Sequence, residues 1–111
     1  MEIHWKSTKL SKELEDFDLL TLQYDEKVAK SIVMRMNELK FSASYVEIPP
    51  NAKAHSIKQG KKFLYFAVDL PHRGGGRGKW RLTFEPYGEY DLANQSSITA
   101  IKILGIENYH K

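Results

Sequence analysis

The chain has 111 residues, 41% of them hydrophobic, which is enough for one core and too short for two ordinary domains. It contains no cysteine, so disulfides, thiolate catalysis and the usual structural zinc sites are excluded together. The net charge of +3 is unevenly spread: residues 51–81 carry Lys53, Lys58, Lys61, Lys62, Arg73, Arg77, Lys79 and Arg81 against the single acid Asp69, so the rest of the chain is net negative.

At the N-terminus, "EIHWK" (2–6) alternates like a strand, and Ser7 follows as a helix cap. Leu10, Leu14 and Phe17 then recur at helical spacing and predict a short amphipathic helix over 8–17. Asp25 caps a second helix, whose Val28, Ile32, Met36 and Leu39 form one apolar stripe. The two helices are expected to form a hairpin that needs a sheet to cover its apolar faces. Pro49 and Pro50 close the helical half.

Strand periodicity takes over from there. "AKAHSIK" (52–58) predicts a strand with a turn at Gly60. "KFLYFAVDL" (62–70) predicts a central one, with Leu64, Phe66, Val68 and Leu70 on one face and Phe63, Tyr65 and Ala67 on the other. "KWRLTFE" (79–85) places Trp80, Leu82 and Phe84 toward the core and Arg81, Thr83 and Glu85 away from it. After the polar loop "YGEYDLANQSS", residues 98–109 predict a last buried strand. The expected fold class is α+β in the order β-α-α-β-β-β-β, a single domain over 1–111. No stretch approaches the roughly 18 apolar residues of a membrane span, and the charged "MEIHWKSTKL" is unlike a signal peptide. A cytoplasmic protein without a membrane partner is expected.

The loop "HRGGGRGK" invites comparison with phosphate-binding loops. A Walker A loop needs Gly, four residues, then Gly-Lys-Ser or Gly-Lys-Thr opening a helix. Here Gly78-Lys79 is followed by Trp80, Arg73 stands where the first glycine belongs, and a strand comes next. The same strand rules out a dinucleotide fingerprint. Two readings stay open for the glycines at 74–76 and 78: a plain hairpin loop, or a basic loop that follows a phosphate backbone.

Among the histidines, His4 reads as structural and His72 as exposed, whereas His55 ("KAHSIKQGKK") and His110 ("IENYHK") have cationic and aromatic neighbours. No HxH or HExxH spacing occurs, so neither a metal nor a cofactor is expected. Metal-independent RNA cleavage requires a base for the 2′-hydroxyl, an acid for the 5′-oxygen and cations for the developing phosphoryl charge. The His, Lys, Arg and Tyr residues of this chain are compatible with all three roles.

The segments "KSTKLSKEL", "VAKSIVMRMNELKFSAS", "IPPNAKAHSIKQGKK", "WRLTFEP" and "ITAIKILGIENYHK" together resemble the HigB-type branch of the RelE superfamily of bacterial toxins, the plasmid-maintenance killer proteins. The resemblance covers nearly the whole chain in order. It implies a two-helix hairpin on one face of a twisted, mainly antiparallel sheet, with RNA on the other, concave face. It implies a ribosome-dependent mRNA endoribonuclease of a type II toxin-antitoxin system, neutralised by a HigA-like antitoxin with a helix-turn-helix domain. The family's H-x-L-K-G element falls on His55, Ile57, Lys58 and Gly60, its strand motif on Trp80, Arg81, Leu82 and Phe84, and its C-terminal Asp-Tyr-His on Asn108, Tyr109 and His110. Asn108 departs from the family's acidic residue, a role that Glu107 would have to take, and the glycine loop is longer than in many relatives.

On this basis the expected catalytic set is His55, Lys58, Arg81, Tyr109 and His110. Arg81 would stabilise the phosphoryl charge, His55 or His110 would transfer protons with Lys58 assisting, and Tyr109 would stack on a base. Lys53, Lys61, Lys62, Arg73, Arg77 and Lys79 would position the RNA backbone. Two rival readings use the same residues differently: a non-catalytic RNA- or ribosome-binding module, and the antitoxin itself. Against the second, no helix-turn-helix pattern is visible in the sequence.

Overall fold

Short polar side chains decide where the helices begin. In the structure, a computed structural model that describes residues 1–70 and 79–109, strand β1 (Glu2–Trp5) leads into helix α1 (Thr8–Glu15), where the Ser7 hydroxyl accepts from the Leu10 amide at 3.1 Å. The expected helix over 8–17 stops two residues early. Asp16 adopts an extended conformation, and its carboxylate accepts from the amides of Asp18 and Leu19, opening a separate helix α2 (Phe17–Gln23). The expected two-helix hairpin is therefore three helices among the described residues. Asp25 starts the third, α3 (Glu26–Phe41), by accepting from the Val28 amide at 2.8 Å.

The sheet has the order β1-β5-β4-β3-β2, built from β2 (His55–Gln59), β3 (Lys62–Asp69), β4 (Lys79–Pro86) and β5 (Ala100–Tyr109). β1 runs parallel to β5, and every other pair is antiparallel. Gly60, with φ of +63°, and Lys61 form the two-residue turn between β2 and β3, a geometry that glycine enters without steric penalty.

One face of this sheet meets the helices. Val28, Ile32, Met36 and Leu39 of α3, with Leu14 and Leu20 from α1 and α2, share a core with Phe66, Val68, Leu82, Phe84, Ile101 and Ile103. Phe66 and Phe84 lie opposite one another across β3 and β4, with ring centroids 5.9 Å apart. The expected phase of β3 holds from Tyr65 onward and fails before it. A register shift leaves Leu64 as the extra residue, so Leu64 is exposed and Phe63 turns its ring to within 4.8 Å of Phe66. Among the described residues no helix is long and apolar enough to cross a membrane.

A charged residue sits within the apolar stripe of α3. Arg35 is 2% exposed and spends its guanidinium on three acceptors: the Asp69 carbonyl at 2.7 Å, the Glu38 carboxylate at 2.6 Å and the Asn51 carbonyl at 3.1 Å. It thereby ties α3 to the end of β3 and to the turn at Pro50–Ala52. Replacing Arg35 by Met keeps much of the volume and strips three acceptors, two of them half-buried, of their donor. This should lower the unfolding free energy by about 3 kcal/mol in a urea titration.

Tyr45 lies in the core, and burial pushes its phenol pKa up from 10.0 to about 12. Between those values the unfolded chain has lost the proton that the folded chain keeps. Stability should therefore fall as pH rises from 10 to 12, and Tyr45→Phe should flatten that part of the stability-pH curve in denaturant melts.

Candidate functional site on the open sheet face

Strand alternation places a second set of residues on the face turned away from the helices. The register aligns His55, Ala67, Thr83 and Gly105 in one row across β2, β3, β4 and β5. Two residues further along lies a second row of Asp69, Arg81 and Glu107. Arg81 is thus on the open face, as its alternation with Trp80 and Leu82 predicts.

His55 and Ile57 share this face, and β2 forms the edge of the sheet. The ring is held from behind. His55 Nδ1 lies 2.8 Å from the carbonyl oxygen of Lys53, which can only accept, so Nδ1 carries the hydrogen. In the neutral ring the lone pair is then on Nε2, the nitrogen available for proton transfer. Lys53 presents its carbonyl from a left-handed conformation (φ 53°, ψ 49°), the one non-glycine positive φ among the described residues.

Arg81 directs Nε and Nη2 at Oε1 of Glu107, with the Nε contact at 3.1 Å. Tyr65 donates its hydroxyl to Oε2 of the same carboxylate at 3.0 Å. Because Tyr65 is on β3 and Glu107 is two strands away, the two side chains must lean toward each other across the row of Ala67, Thr83 and Gly105. The burial of that row agrees. Ala67 is 0% and Thr83 5% exposed although the helices lie on the other side of the sheet. The bridge passes over the small side chains of Ala67 and Thr83 and leaves open space at Gly105, and Thr83 keeps its hydroxyl satisfied by donating to the Gly105 carbonyl at 3.1 Å. Gly105, with φ of +155°, follows the extra residue Leu104 in the bulge between β4 and β5. Burial first, and then the bond to and charge of Glu107, raise the Tyr65 pKa against an opposing pull from Arg81.

The remaining candidates are scattered. Lys58 is three positions beyond His55 and so faces the opposite way, paired with Phe63 on the helix side and exposed. The expectation that it assists His55 is not met by this arrangement. Lys58, Lys61 and Lys62 gather at the β2–β3 turn, whereas Arg81 is at the far end of β3, about 23 Å away at the rise of a strand. Lys53 is exposed and two residues from His55. The backbones of Lys79 and Tyr109 pair with each other at the Arg81 end. Arg73, Arg77, the glycines between them and His110 lie outside the described residues. Asn108 is opposite Trp80 on the helix side, and the carboxylate facing Arg81 is that of Glu107.

Sequence reading passed over Tyr65 and Arg35. The strand phase already placed Tyr65 beside Ala67 on the open face, and a basic residue inside an apolar helical stripe is itself a signal. Among the described residues no group of three His, Asp or Glu side chains is arranged to hold a metal ion. No family model matches the chain, and a search of curated proteins finds no match either.

If Tyr65 is held by the small floor beneath it, enlarging that floor should release it. Ala67→Leu should move the Tyr65 pKa back toward 10, read by carbon NMR of ring-labelled tyrosine, with the remaining tyrosines unchanged.

Proposed function

We propose that the chain is an mRNA endoribonuclease with a RelE-like architecture, acting on the ribosome as the toxin of a type II toxin-antitoxin system in the cytoplasm. The observation that carries this reading is the company of Arg81. A cationic side chain lies on the open face of the sheet, with the fixed imidazole of His55 on the same face, two strands and two residues away. Strand spacing puts their α-carbons about 12 Å apart, a gap two long side chains can close around one phosphodiester.

On this reading His55 Nε2 takes the proton of a 2′-hydroxyl, and the 2′-oxygen attacks the adjacent phosphorus. The bond to the 5′-oxygen breaks, and that oxygen takes a proton from a general acid, a role for which His110 is the candidate offered by the sequence. The products are a 2′,3′-cyclic phosphate, or the 3′-phosphate after hydrolysis, and a free 5′-hydroxyl. Arg81 stabilises the charge on the equatorial phosphoryl oxygens. Lys53 and the lysines of the β2–β3 turn act at a distance, as contacts to the RNA backbone. The expected partner is a HigA-like antitoxin with a helix-turn-helix domain, encoded beside the toxin.

Induced expression, with growth followed and cellular mRNA 5′ ends mapped, is the test. The wild-type chain should arrest growth and produce new 5′ ends within translated messages. Arg81→Ala should relieve the arrest and reduce cleavage about 10²- to 10³-fold, and His55→Ala about 10²-fold or more, both with the fold intact by circular dichroism. Full toxicity of Arg81→Ala would remove Arg81 from the mechanism. RNA binding without new 5′ ends would favour the non-catalytic module.

A further inference from the structure

Two donors of different chemistry converge on one carboxylate at the centre of the open face. Arg81 offers Nε and Nη2 from one edge of its guanidinium to Oε1 of Glu107, and the Tyr65 hydroxyl reaches Oε2. The core does not require this assembly, because it lies on the side of the sheet that the helices leave uncovered. A partly exposed ion pair of this kind adds little to stability. The donor set is nevertheless specific. A guanidinium edge plus a neutral hydroxyl suits an anionic group with two or more oxygens, and phosphate meets that description as well as carboxylate does.

The two members of the pair are not equally fixed. The Arg81 side chain is 12% exposed, packed within the sheet face, whereas Glu107 is 36% exposed. Glu107 also lies near the end of β5, two residues from its last position. Rotation of its side chain would carry the carboxylate into water without disturbing a strand. The donors would stay where they are, and the phenol would keep its proton to donate, as any phenol does at neutral pH.

We infer that Glu107 is an internal stand-in for phosphate: Arg81 and Tyr65 form a phosphodiester receptor that the Glu107 carboxylate fills in the free chain and a single-stranded RNA phosphate takes over on binding. The identity of the ligand rests on the reading under Proposed function, whereas the exchange itself rests on the geometry. It assigns to Tyr65 a binding role that strand alternation alone does not suggest, and to Glu107 a restraining one. The consequence runs against intuition for an acidic residue in an RNA site facing Arg81. Removing its charge should strengthen binding, because the phosphate no longer competes with a tethered anion.

The probe is a short, fluorescently labelled single-stranded oligoribonucleotide, titrated against the whole chain over a range of salt concentrations. Glu107→Gln should bind about tenfold more tightly at low salt, and the slope of log affinity against log salt should steepen by about 0.7, as expected for one more cation engaged with phosphate. Adding Tyr65→Phe or Arg81→Ala to that variant should cancel most of the gain. Equal or weaker binding by a folded Glu107→Gln chain overturns the inference. Should that variant fail to fold, the carboxyl carbon resonance of Glu107 in the wild-type chain decides: it should shift to a solvated value on adding the oligoribonucleotide, and an unchanged resonance is equally fatal. Tighter binding without mRNA cleavage in cells would overturn the endonuclease reading alone, and cleavage without the tightening would overturn this one alone.

Discussion

The guanidinium of Arg35 adds directional bonds between three parts of the chain that the hydrophobic core already brings together. Apolar packing fixes α3 against the sheet but is indifferent to small slides, since one aliphatic contact can replace another. Arg35 removes that freedom by donating to two backbone carbonyls and a carboxylate at once. Its targets are not arbitrary. Asp69 ends β3 directly opposite Arg81, and Asn51 belongs to the turn that precedes Lys53, whose carbonyl fixes the ring of His55. Both sides of the candidate site are thus referenced to one buried cation on the other side of the sheet. A buried charge paired with a carboxylate and bonded to two carbonyls is a modest stabiliser, but it is intolerant of misplacement.

The open face owes its character to what is small. A five-stranded sheet covered on one side commonly presents alternating polar residues of mixed size on the other. Here the central row is Ala67, Thr83 and Gly105, and the longer side chains of Tyr65 and Glu107 meet across its Ala67 and Thr83 part. The result is a shallow polar bridge of Tyr65, Glu107 and Arg81 with His55 at its edge. The bulge at Leu104 contributes by keeping Glu107 in register with Arg81 after the β5 side chains have been rephased.

The apolar skeleton was legible in the sequence because it follows the two periods that reasoning from sequence uses. Val28, Ile32, Met36 and Leu39 repeat as a helix, and Trp80, Leu82 and Phe84 repeat as a strand, so the outward direction of Arg81 follows from arithmetic. The errors fell where one residue interrupts a period. Asp16 reads as the tail of a helix until its carboxylate is seen capping the next one. Leu64 and Leu104 each add a residue to a strand, and nothing in an apolar run announces which residue is extra. The partnership of Glu107 with Arg81 was invisible for the same reason, because pairing across strands depends on register, and register depended on an unseen bulge.

Charge then has to be read by position rather than by sum. The basic segment from Lys53 to Arg81 looks like one patch in sequence, but β2 and β3 carry it to opposite ends of the sheet. At the turn end Lys58, Lys61 and Lys62 are exposed and hydrated, where attraction to an anion is long-ranged, weak and screened by salt. At the other end Arg81 is largely shielded from solvent, where the same unit charge acts more strongly but is already engaged by Glu107. A polyanion approaching this surface would be gathered by the lysines before it could contest the arginine. On the proposed reading, specificity therefore resides in the exchange at Arg81, and the more numerous lysines govern only how often that exchange is attempted.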